Sequence, residues 1–68
     1  MKIIIYKNEV KSLIHAIREV YGRGWYGRLQ LIDIITDCGY SRHVSYIIYN
    51  MCKRYKLINE DGGIVFIY

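Results

Sequence analysis

Along this chain the apolar residues cluster at the start, recur every three or four positions through three successive runs, and cluster again at the end. The opening run, Met1 to Tyr6, is rich in β-branched residues and closes on an aromatic, which predicts a short strand. Asn8 then offers an N-cap, with Glu9 in the first turn where the helix dipole favours an anion. Val10, Leu13, Ile14, Ile17 and Tyr21 share one face of a first helix; Lys11, Ser12, His15, Arg18 and Glu19 face the other way, and Gly22 closes it. Arg23 to Tyr26 reads as a connector that can hold one extended rung. A second helix can start at Gly27, with Leu31, Ile34, Ile35 and Cys38 on one face, Ile32 flanking them, and Gln30, Asp33 and Asp37 opposite. Gly39 ends it. Ser41 caps a third helix that runs to about Lys56, with Val44, Ile47, Ile48, Met51 and Tyr55 as its apolar stripe. Leu57 to Asn59 and Ile64 to Tyr68 read as strands. Glu60-Asp61-Gly62-Gly63 joins them as a hairpin, because Asp-Gly tolerates positive φ.

Length makes this one domain, residues 1–68, and leaves little room for a catalytic cleft with its own supporting shell. A chain this short buries only about 60% of its unfolded surface, so a 53% apolar fraction or a dimer interface has to compensate. The net charge is +4 and the pI about 9.2, which suits a polyanionic partner but also simple solubility. The distribution of charge says more. No acid lies between Asp37 and Glu60, yet Arg42, His43, Lys53, Arg54 and Lys56 all do. Neither a secretory signal nor a membrane-length apolar stretch is visible, so the expected location is intracellular.

The joint Cys38-Gly39-Tyr40-Ser41 links two helices through a tight turn, and a hairpin follows the second of them. Three segments carry a resemblance to the winged helix-turn-helix superfamily of transcription regulators: Gly39-Tyr40-Ser41-Arg42-His43-Val44-Ser45, then Lys53-Arg54-Tyr55-Lys56-Leu57-Ile58, then Glu60-Asp61-Gly62-Gly63. The resemblance spans roughly Glu9 to Tyr68. The absence of proline, with thirteen isoleucines and eight tyrosines, is similar to the small regulators of crenarchaeal viruses and plasmids. The resemblance implies an α+β fold of three helices with a small antiparallel sheet, built from the C-terminal hairpin as wing and the N-terminal strand. It also implies double-stranded DNA as partner, with the third helix in the major groove. A viral regulator of this kind would work in the host cytoplasm.

Opposite the apolar stripe of that helix, Arg42, Tyr46, Tyr49 and Lys53 form one line, flanked by His43 and Asn50 on one side and by Ser45 and Lys56 on the other. Arg and Lys can meet phosphate or guanine, Asn can pair with adenine, and Tyr can reach phosphates or thymine methyls. Arg54 adds a phosphate contact at the helix end. The same line is compatible with a solvated face, a protein-binding face built on Tyr46 and Tyr49, or a nucleic-acid face without sequence preference. Glu60 and Asp61 carry the wrong sign for a phosphate clamp at the wing. His15, His43, Cys38 and Cys52 match no zinc spacing. The two cysteines read as small core residues, or as a disulfide in a hyperthermophilic host. Trp25 is expected to pack on the first helix. No nucleophile–base pair and no cofactor or small-molecule motif is present, so the reading is a binding module, not an enzyme. A homodimer is expected, through Met1 to Tyr6 and the first helix.

Overall fold

A computed structural model describes residues 4–68. Helix α1 (Lys7–Tyr21) leads into strand β1 (Gly24–Gly27), then α2 (Arg28–Asp37), α3 (Arg42–Arg54), β2 (Ile58–Asp61) and β3 (Ile64–Ile67). The fold is α+β, three helices against a three-stranded antiparallel sheet of order β1-β3-β2.

The strand expected over Met1 to Tyr6 is not formed by its described half. Residues 1–3 lie outside the described part, and Ile4 to Tyr6 belong to no strand. The edge of β3 is taken instead by β1, from the stretch read as a connector, with Trp25 opposite Phe66 and Tyr26 opposite Val65. Only four residues are needed, because alternation sends Tyr26 into the core and Trp25 to the outer face. The Tyr26 hydroxyl donates to the Gly22 carbonyl, which satisfies the one polar atom this ring buries.

Helix α1 begins one residue before the expected cap: Tyr6 is the N-cap, without a side-chain bond. Val10, Ile14 and Ile17 are buried, whereas Tyr21 is 54% exposed because the last turn runs past the core. In α2, Gln30 accepts the Gly27 N–H at 3.2 Å, and the Arg28 N–H donates to Gly63 in the hairpin at 2.9 Å. Two donors at the start of the helix are thereby placed. Leu31, Ile32, Ile34 and Ile35 are all buried; Ile32, expected at the flank, is fully enclosed. Cys38 is exposed, not core, because it is the C-cap and the chain leaves the helix there on its way to Gly39 at φ 110°. Both cysteines are free thiols. Between β2 and β3 the two-residue turn is Gly62-Gly63, at φ 59° and 85°, the left-handed pair that a tight hairpin requires.

The inner face of the sheet delivers Tyr26, Ile58, Val65 and Ile67 to the helices. Its outer face carries Trp25, expected on α1 but lying outside the core and packed edge-on against Phe66 at 4.9 Å between centroids. No helix among the described residues is long and apolar enough to cross a membrane. Each fully buried Ile contributes about 1.5–3 kcal/mol. Ile32→Ala is therefore expected to cost about 2–5 kcal/mol. Cys38→Ala should stay within about 0.5 kcal/mol. Thermal or denaturant unfolding of the two variants checks the placement of α2.

Candidate nucleic-acid interface

Helix α3 owes its start to Ser41, whose Oγ accepts the Val44 N–H at 3.2 Å. Its buried side is Ser45, Ile48, Tyr49 and Cys52, with Val44 and Met51 half-buried beside them. The apolar stripe alone had placed the buried face about one residue away, and two candidates are corrected as a result. Ser45 is fully buried, its hydroxyl donating to the Ser41 carbonyl at 2.8 Å and accepting from the Thr36 hydroxyl at 2.9 Å. Tyr49 is 2% exposed and donates its phenol to Glu60 of β2. Neither side chain can meet a groove.

The other candidates remain at the surface. Arg42, His43, Tyr46, Asn50, Lys53 and Arg54 are exposed and cover roughly a third of the helix circumference. Lys56 lies just beyond the helix, exposed as well. No carboxylate is on this face, but two reach it from neighbouring elements. Asp33 of α2 pairs with Arg42, whose guanidinium is held more firmly protonated by that hydrogen bond. Glu60 lies 3.7 Å from the Lys53 ammonium, which also sits over the Tyr49 ring, 5.3 Å from its centroid. Arg54 and Lys56 have no ion-pair partner among the described residues.

Glu60 therefore has a structural position that the sign of its charge did not suggest. The Tyr49 hydrogen bond, more than the nearby Lys53 and Arg28 charges, holds its carboxyl below the ordinary range. Burial, then Glu60 itself, pushes the Tyr49 phenol well above its usual value. A signal for this was present: a Tyr on the helix just before a hairpin carrying one carboxylate on its inward register. The buried Cys52 thiol is pushed up to about 12 by desolvation, so it stays protonated and unreactive.

Lys56 is the one non-glycine residue among those described with positive φ, at 58°. It closes α3 in a two-bond cap: the Lys56 N–H donates to Lys53 at 3.1 Å and the Leu57 N–H to Cys52 at 2.9 Å. Glycine usually fills this position, so the chain keeps a strained cation at the end of the exposed face.

No family model, curated protein or solved structure matches this chain.

Two outcomes follow from this geometry. Lys56→Gly relieves about 1–2 kcal/mol of left-handed strain. It returns about 0.5–1 kcal/mol in unfolded-chain entropy, so unfolding should show a small net stabilisation. For Glu60, a folded-state carboxyl held below its unfolded value of about 4.3 adds stability above that pH and loses it as pH falls through the folded value. The stability difference between the wild type and Glu60→Gln should be constant above about pH 5 and shrink on acidification.

Proposed function

We propose that the chain is a winged helix-turn-helix domain that binds double-stranded DNA with α3 in the major groove, acting in transcriptional control. The observation that carries this reading is the face of α3. It holds five exposed side chains able to contact phosphate or bases, Arg42, Asn50, Lys53, Arg54 and Tyr46, with no acid of its own. The element order supports it: a short turn between α2 and α3, followed directly by the β2–β3 hairpin as wing. In this reading Arg42 and Tyr46, near the start of α3, approach base edges, and Asn50 follows one turn later. Arg54 and Lys56 meet phosphates at its end. His43 lies at the margin of the contact. The wing touches DNA through its backbone at most, since Glu60 is turned inward to Tyr49 and Asp61 is acidic.

Burial of Tyr49 weakens the reading of this face as a protein-binding surface, which needed both tyrosines exposed. Sequence-specific and non-specific binding are separated by the test. Duplex binding measured by anisotropy at several salt concentrations should weaken steeply, and Arg54→Ala should lower the log–log slope by about 0.9 with an unchanged melting temperature. On a duplex selected from a random pool, Asn50→Ala should relax preference at one base position. No binding at low salt would overturn the proposal, and equal affinity for selected and random duplexes would reduce it to a basic domain without sequence preference.

A further inference from the structure

The outer face of the sheet is independent of α3, which packs on the inner side through Tyr49 and Glu60. Register places Trp25, Phe66 and Asn59 in one outward row and Gly27, Ile64 and Asp61 in the next. Trp25 is 67% exposed, Ile64 51% and Tyr68 52%, and Phe66 is half-buried between Trp25 and Tyr68 in two edge-to-face contacts. The solvent side of a sheet normally carries polar residues. Here it carries an aromatic cluster.

We propose that this face docks a second copy of the chain. Its charge argues against nucleic acid: no outward strand position holds a cation, and Asp61 is an acid. An isologous contact must be complementary to itself, and a neutral aromatic patch meets that condition. Phe66 stands on the central strand, so a two-fold axis beside it sends the two Asp61 carboxylates to opposite rims. Area sets the size class of the contact. The four apolar side chains expose roughly 400 Å² per copy. With the polar rim, a pair comes close to the ~1,200 Å² at which specific interfaces begin. A contact of this size belongs with weak, transient associations, and it does not depend on the DNA reading.

Trp25 is the single tryptophan and reports the contact directly. Sedimentation across the micromolar range, without DNA, should show a concentration-dependent dimer, and Trp25 emission should shift to the blue in step with it. Trp25→Glu should weaken the dimer by about thirty-fold or more, as expected of a central aromatic anchor. Val20→Glu, at an equally exposed apolar residue on α1, should leave it intact. Circular dichroism verifies the fold of each variant, and Ile64→Lys serves in place of Trp25→Glu if that variant unfolds. A monomer with unshifted Trp25 emission at every concentration overturns the proposal. So does a dimer that survives both sheet substitutions, or a monomer whose Trp25 is quenched by a single-stranded oligonucleotide, which would make the face a base-stacking platform.

Discussion

Where α2 and α3 meet, a serine occupies the space that a larger side chain would keep open. Ser45 is fully enclosed and hydrogen-bonded to Thr36 of α2 and back to Ser41 of its own helix. This contact fixes the rotation of α3 about its axis. Side chains four and seven positions further on share the buried side, so Tyr49 and Cys52 turn inward with it. Arg42, His43, Tyr46 and Asn50 are then left facing solvent. A hydroxyl here costs little because its donor and its acceptor both have partners, and among the described residues no buried side-chain polar atom is left without one.

The same rotation positions the hairpin. With Tyr49 turned inward, its hydroxyl meets Glu60, the inward carboxylate of β2, opposite Val65 in the sheet. At the turn, the Gly63 carbonyl accepts the first N–H of α2. The hairpin is thus held to α3 through Glu60, one residue pair from the turn, and to α2 at the turn itself, whose two residues leave it little freedom. Strand β1 completes the sheet on the other side of β3, so the hairpin is part of the core and not a free flap.

The three helices, the Ser41 cap and the hairpin were legible in the sequence because each rests on local chemistry: a 3.6-residue period, a short polar cap, a glycine pair. What was not legible depended on partners far along the chain. The sequence allowed one extended rung at Arg23 to Tyr26, but not its partner: Gly24–Gly27 becomes a strand because β3 offers an edge. Tyr49 looked exposed because the stripe from Val44 to Tyr55 sets the buried face about one residue off and cannot see Glu60. Ser45 looked like a flank for the same reason: Thr36, its partner, lies nine residues back. Cys38 was misplaced by extending the wheel one residue past the end of its helix. Within α3, Ser45 and Tyr49 are buried while the next residue after each, Tyr46 and Asn50, faces solvent.

Counting cations along the acid-free stretch also overstates the charge available to a polyanion. Arg42 is joined to Asp33 and Lys53 to Glu60, acids that lie outside the stretch in sequence but beside it in space. The two pairs differ in what a competing phosphate would have to displace. Arg42 and Asp33 are both more than half exposed, and a solvent-screened pair of that kind holds weakly, so the guanidinium can exchange one anion for another. Glu60 is far less exposed than Asp33 and is bonded to Tyr49 as well, so drawing Lys53 away leaves the carboxylate with its phenol partner and the hairpin still anchored. Arg54 and Lys56 need no exchange at all. On the proposed reading, the end of α3 therefore supplies phosphate contacts at once, while Arg42 at its start engages by giving up Asp33. On the same proposed reading, that exchange sets a bound anion in direct competition with a contact between α2 and α3, where among the described residues the two helices are tied by charge.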